Sequence, residues 1–208
     1  AASRIAACLK SPEVEGLGEG FSVMFAGNIG VAQAVGVIVE AASLLRAHTD
    51  IHFVVLGDGS SREWMLSEVR QRGLTNIHLP GRFPAETMPG FMQSASVLLV
   101  TLADQPIFAA TVPNKVQAYL ASGRPIIACM NGEGARLIVE AEAGLATPAE
   151  DPNALAAAIL QLHSQPTDAR DTMGRNGRTY YQEHFDHGRL TDQLMEHLHT
   201  VSEGGRAG

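Results

Sequence analysis

Short apolar runs of strand size alternate with stretches of helical period along almost the whole chain, and this alternation limits the fold more than any other feature. Residues 21–26 (FSVMFA) form a short, mainly apolar run that stops at Gly27, as a buried strand does. Across 32–46, apolar residues recur at Val35, Ile38, Val39, Ala42 and Leu45, the three-and-four spacing of a helix. Residues 51–56 (IHFVVL) form a second strand, ended by Gly57, Asp58 and Gly59. A helix capped by Ser60 or Ser61 and ending near Gly73 comes next, then a strand at 76–79, a helical turn at 86–93 and a strand at 96–102. Beyond a loop the pattern predicts a helix over 114–122 stopped by Gly123, a strand at 125–129, a helix at 133–142 and a small strand at 144–146. Asp151 and Pro152 supply a cap and a first-turn proline for a helix over 153–163. Residues 167–201 read as two helices broken near 186–188, and 204–208 as a loose tail.

Alternation of this kind gives an α/β fold, a single doubly wound, Rossmann-like domain whose mostly parallel sheet carries helices on both faces. The expected division is a leading segment at 1–20, the domain at 21–185, and a terminal helix with its tail at 186–208. Composition agrees: 45% of the 208 residues are hydrophobic and 18% charged, which excludes a disordered chain. No apolar run approaches the roughly 20 residues of a membrane span. Fifteen basic against 22 acidic residues give a net charge of −7 with no basic block, which argues against a nucleic-acid binder. Cys8 and Cys129 cannot build a disulfide framework and suit a reducing cytosol. The first residues lack the charged-then-apolar layout of a signal peptide. A cytoplasmic location is therefore expected.

Ligands of such sheets sit at the carboxyl ends of the strands, near the switch in strand order. The loops at Gly27, Gly57, Gly81, 102–113 and 130–134 all follow strands and are the candidate site. Gly27-Asn28-Ile29-Gly30 joins a strand to a helix, where backbone amides and the helix N-terminus attract an anion. It matches neither GxGxxG nor a phosphate-binding P-loop, and a plain tight turn fits it as well. Val112-Pro113-Asn114-Lys115 also precedes a helix, with Asn114 available as a cap. Lys115 in a first helical turn opposes the dipole, which makes sense where an anion lies between them; a solvated surface lysine is the other reading. Arg82 and Phe83, after a strand, suit a base or a phosphate, or simply a turn. Gly57-Asp58-Gly59 reads as a turn rather than a ligand contact. His184 with His187, and His197 with His199, complete no metal-ligand pattern, so no metal is expected. No nucleophile elbow or catalytic-cysteine signature occurs.

Taken together, FAGNIGVAQAVGVIVEAASLL, IHFVVLGDGSSRE, NIHLPGRFPAETMPGFMQSASVLLVTL, VPNKVQAYLASGRPIIACMNGEGARLIVEAEAGLATPAEDPNALAAAI and MGRNGRTYYQEHF resemble the C-terminal half of group 1 (family 4) retaining glycosyltransferases. The resemblance covers nearly all of residues 21–185 in the family's order. VPNK…YLASGRPII is most similar to a bacterial branch that builds surface polysaccharides, including O-antigen and lipopolysaccharide. The resemblance implies the second of two facing Rossmann-like domains (a GT-B arrangement). Its donor is a nucleoside diphosphate sugar, with uridine expected. It also implies a saccharide or lipid-linked acceptor bound by a preceding domain absent from these residues, and a last helix, around 188–201, that crosses back to that domain. Any contact with the inner face of the plasma membrane would fall to the absent half.

By resemblance, Gly27, Asn28 and Gly30 line the diphosphate, Arg82 and Phe83 border the nucleobase, and 110–115, including Thr111, Val112, Asn114 and Lys115, meet phosphates and sugar. Two features depart from the family pattern. Its paired glutamates, seven residues apart, fall at Ala110 and Ala118, and its basic pair falls near Asn28 and Gln33. Lys115 is then the candidate for the missing positive charge and stabiliser of the leaving group, with Gln117 or Tyr119 as substitute donor contacts. Three functions are consistent with the residues: sugar transfer with retention, an inactive nucleotide-sugar binding module, and a nucleotide-sugar epimerase of the same fold. A receiver-type signalling domain is excluded, because 21–30 carries no acidic residue.

Overall fold

The computed structural model describes residues 12–185. Six strands, β1 (Phe21–Asn28), β2 (Ile51–Asp58), β3 (Ile77–Gly81), β4 (Val97–Thr101), β5 (Ile126–Cys129) and β6 (Gly144–Thr147), form one sheet in the order β3-β2-β1-β4-β5-β6. All of its neighbouring pairs are parallel. The six innermost positions of β1 are all buried, because helices cover both faces and the strand has no solvent side to make polar.

Alternate residues of each strand feed two cores. Val23 and Phe25 point to the side covered by α1 (Gly36–Leu44) and α7 (Pro152–Ser164), where Ile38, Leu155, Ile159 and Leu162 are fully buried. Met24 and Ala26 point to the side covered by α3 (Met88–Ser94), α5 (Asn114–Ser122) and α6 (Glu133–Glu140), through Phe91, Val116, Tyr119, Leu120 and Ile138. Two further helices extend these groups: α2 (Arg62–Arg72) packs against α1 and buries Met65 in the first core, and α8 (Thr167–His184) packs against α5, with Tyr180 and Tyr181 against the second. Val14 and Leu17 of the leading segment pack on the second core. The helix and tail expected at 186–208, including the stretch around 188–201, lie outside the described residues.

The differences from the sequence expectation have local causes. The helix expected over 32–46 opens instead as a 3₁₀ turn, Val31–Gln33, and Ala34 then adopts φ 46. Bonds from the end of β4 hold that turn: the Thr101 hydroxyl donates to the Gln33 carbonyl and the Ala103 N–H to that of Ala32 (2.9 Å). A four-residue helix, α4 (Pro106–Ala109), occupies the loop after β4 and is too short to show a period. Ser61 stands at the cap position of α2 but makes no capping bond, and Pro113, not Asn114, occupies the cap position of α5, likewise with no side-chain bond. Asp151 caps α7 as expected, accepting the Ala154 N–H at 2.9 Å.

The packing of α8 on α5 depends on the absence of side chains. Gly123 ends α5 at φ 72, and a Cβ on Gly174 would lie 2.1 Å from the Gly123 carbonyl oxygen. Neither backbone can yield without separating the helices. Gly174→Ala is expected to destabilise the protein by about 1–3 kcal/mol through overpacking, read as a lower midpoint in urea at an unchanged slope.

Candidate functional site

The two central strands end level with each other. β1 and β2 stay in register to Gly27↔Gly57 and Asn28↔Asp58, so a glycine and then a polar residue stand side by side at the carboxyl edge. Gly57 has φ +138, and a Cβ there would meet the Gly27 carbonyl oxygen at 1.8 Å, so glycine alone fits. The two following loops are laced by Ile29 N–H to Asp58 O (2.8 Å) and Ser61 N–H to Ile29 O (2.9 Å). Gly30 is buried beside Asn28, whose side-chain amide donates to Gln33 Oε1 at 3.1 Å. Its own N–H has no acceptor among the described residues.

A cavity of about 410 Å³ opens above this edge, lined among others by Gly27, Asn28, Asp58, Arg82, Phe83 and Met88. Phe83 is half-buried and set edge-on against Phe91 (4.9 Å between ring centres), while Arg82 is exposed. One carboxylate oxygen of Asp58 accepts the Gly59 N–H at 2.8 Å. The cavity thus combines an apolar wall, an acceptor for hydroxyl groups and a glycine floor.

Lys115 reaches this floor from α5. Its Nζ would lie 3.0 Å from a Cβ built on Gly27, and it rests 3.7 Å from the centre of the Phe25 ring. Phe25 belongs to the opposite core, so the side chain crosses the carboxyl end of β1 to reach it. The Lys115 residue is half-buried, but its ammonium has no accessible surface and no hydrogen-bond partner among the described residues. A cation–π contact offsets only part of that desolvation. Burial accordingly pushes the ammonium pKa down to about 8.

The other expected residues divide. Gly27, Asn28, Arg82 and Phe83 line the cavity with Gly30 just behind, and Lys115 joins them by touching Gly27. Thr111, Val112, Asn114 and Gln117 flank or follow the start of α5 and are not among the residues lining the cavity. The Thr111 N–H is already used, donating to the Phe108 carbonyl at 3.3 Å. Tyr119, expected as a possible donor contact, faces inward instead: it is 1% exposed and its hydroxyl meets the backbone of Ala26. Ala110 and Ala118 are exposed. His184 stacks on Tyr180 (4.2 Å between ring centres), and His187, His197 and His199 lie outside the described residues.

Sequence reasoning missed Asp58 and Met88 as lining residues. The signal for Asp58 was present in two eight-residue runs, FSVMFAGN and IHFVVLGD, that both end in glycine and a short polar residue. In parallel register their ends must coincide. Met88 carried no comparable mark.

This strand order, with its open carboxyl edge at the β1/β4 switch, defines a Rossmann-type ligand-binding domain. Residues 20–165 match the family model for glycosyl transferases group 1, and the chain belongs to that family. MJ1178, an uncharacterised glycosyltransferase of Methanocaldococcus jannaschii, is 25% identical over 157 residues, covering 76% of this chain and 42% of that protein. WbpZ of Pseudomonas aeruginosa, a D-rhamnosyltransferase, is 27% identical over 139 residues, covering 66% and 35%. The chain thus spans less than half the length of these curated relatives. Among solved structures, HepE of Anabaena in complex with UDP superposes with a TM-score of 0.74 at 16% identity, over 88% of this chain and 49% of that one. The C-terminal domain of LpcC, a group 1 family protein of Francisella tularensis, gives 0.67 at 19% identity, over 79% and 86%. The fold is that of the C-terminal domain of GT-B glycosyltransferases. Among the described residues no helix is long and apolar enough to cross a membrane.

A depressed lysine pKa is a stability cost. The unfolded chain holds this proton up to the ordinary value of 10.5 and the folded chain only up to about 8, so the cost is full below pH 8 and fades as pH rises toward 10.5. Lys115→Met is therefore expected to stabilise the ligand-free protein at pH 7 by about 1–3 kcal/mol. The gain should shrink between pH 8 and 10.5, as chemical denaturation at a series of pH values will report.

Proposed function

We propose that this chain is the donor-holding domain of a retaining glycosyltransferase. It takes a hexosyl or amino-sugar group from a UDP-linked donor for bacterial surface-polysaccharide assembly, and a domain outside this chain binds the acceptor. The observation that carries the reading is Lys115: a buried ammonium with no anionic partner among the described residues, held at a glycine turn beside a cavity. An anionic group there would replace the hydration the ammonium has lost. The likeness to a UDP-bound structure and to a D-rhamnosyltransferase supports nucleotide-sugar chemistry.

In this reading the uracil lies against Phe83 and Met88, Asp58 accepts hydroxyl protons, and the diphosphate lies over Gly27 and Gly30. As the anomeric C–O bond breaks, negative charge grows on the departing diphosphate. The Gly30 N–H, the amides at the start of α5 and the Lys115 ammonium face that charge with little reorganisation, since they are fixed beforehand.

Lys115→Ala is expected to weaken UDP binding at least tenfold, about 1.4 kcal/mol, by titration calorimetry. Wild-type affinity should hold steady below pH 8 and fall above it with proton uptake on binding, because the anion restores the lysine pKa; equal affinities for both proteins would remove Lys115 from the site. Ala110 and Ala118, exposed where the family pattern has glutamates, favour a second reading, a nucleotide-sugar binder without turnover. A transfer assay with a lipid-linked acceptor and the longer protein separates the two, and the 208-residue chain by itself is expected to show no turnover. Free epimerised product without acceptor would identify an epimerase instead.

A further inference from the structure

The sheet separates where the site forms. β1 and β4 pair at Val23↔Val97 and Met24↔Leu98, and β4 continues against β5 alone to Thr101↔Cys129. Beyond Met24 the β4 side of β1 has lost its partner strand. Tyr119 fills the place: its hydroxyl accepts the Ala26 N–H at 3.0 Å and lies 3.4 Å from the Ala26 carbonyl oxygen. A buried strand group is thereby satisfied by a side chain instead of a neighbouring strand.

Tyr119 stands one helical turn after Lys115 on α5, so the two side chains leave the same face of the helix. One grips Ala26 and the other lies against Gly27, the next residue. We propose that Tyr119 is a positioning residue: its hydroxyl, hung on the Ala26 backbone, fixes the height of α5 over the end of β1 and so holds the Lys115 ammonium beneath Gly27. Without that bond α5 still packs through Val116 and Leu120, but among the described residues no other polar contact sets its register along β1. The cationic group and the glycine turn are then no longer held together. This inference rests on the proposed role of Lys115 at a diphosphate, and its test has one arm that needs no ligand.

The ligand-free arm follows the Lys115 side chain by NMR titration in the wild type and in Tyr119→Phe. Positioning by the hydroxyl is expected to show as a Lys115 midpoint that moves in Tyr119→Phe from about 8 toward 10.5, as the ammonium gains solvent. The second arm titrates UDP into the wild type, Tyr119→Phe, Lys115→Met and the double variant. A loss of about fivefold is expected for Tyr119→Phe alone, and none when it is added to Lys115→Met. Val116→Ala, which loosens α5 while keeping the Tyr119 hydroxyl, is the control for a merely structural effect and should leave the Lys115 midpoint in place. Should Tyr119→Phe fail to fold, 4-fluorophenylalanine at 119 fills most of the hydroxyl's volume with a poor acceptor that cannot donate, and is expected to move the midpoint in the same direction. An unmoved Lys115 midpoint in a folded Tyr119 variant overturns the positioning role, as does an equal shift in Val116→Ala. A wild type that binds no UDP overturns the proposed function, while the NMR arm still decides the role of Tyr119.

Discussion

A desolvated ammonium group sits between a glycine turn and an aromatic ring with no counter-charge among the described residues, and the local architecture is arranged around that fact. Lys115 crosses the carboxyl end of β1, lies under a glycine that has no side chain to exclude it, and rests on the ring of Phe25. A core of this kind would be more stable with an apolar residue there, since a buried charge without a partner carries a desolvation cost that a ring face does not remove. Retaining that cost is consistent with a site whose partner arrives from outside. In the proposed reading, an anion completes the electrostatics that the fold leaves open.

The parallel sheet makes such a place available. Opposite winding on the two sides of β1 and β4 leaves a splay at their carboxyl ends, and glycines at the ends of β1 and β2 keep the floor of the cavity low. The same splay exposes backbone groups that a continuous sheet would pair. Tyr119 answers that need from α5, the helix that also delivers the lysine. One short helix therefore performs two tasks, closing the gap in the sheet and placing a cation at its edge. The second task depends on the geometry of the first.

The strand and helix elements were legible because each is decided by local pattern. β1, β2 and β4 are apolar along most of their length, as strands covered on both faces tend to be, and the cap at Asp151 is a local hydrogen bond. What escaped was decided by contacts remote in sequence. The turn at Val31–Gln33 is imposed by the end of β4, and α4 is too short for any period to show. The flank of Lys115 was readable from its unfavourable place in a helix's first turn, but its seat on Phe25 was not, because the two residues belong to different faces of the sheet. The inward orientation of Tyr119 was available and overlooked: Val116, Tyr119 and Leu120 are spaced by three and four, which marks the buried face of α5.

The most direct test of the account is a crystal structure of this protein with UDP bound. The diphosphate is expected over Gly27 and Gly30, with a phosphate oxygen within hydrogen-bond distance of Lys115 Nζ and the Tyr119 hydroxyl still on Ala26. A nucleotide held elsewhere on the domain, or one that occupies the cavity while the lysine ammonium makes no contact with phosphate, would contradict it.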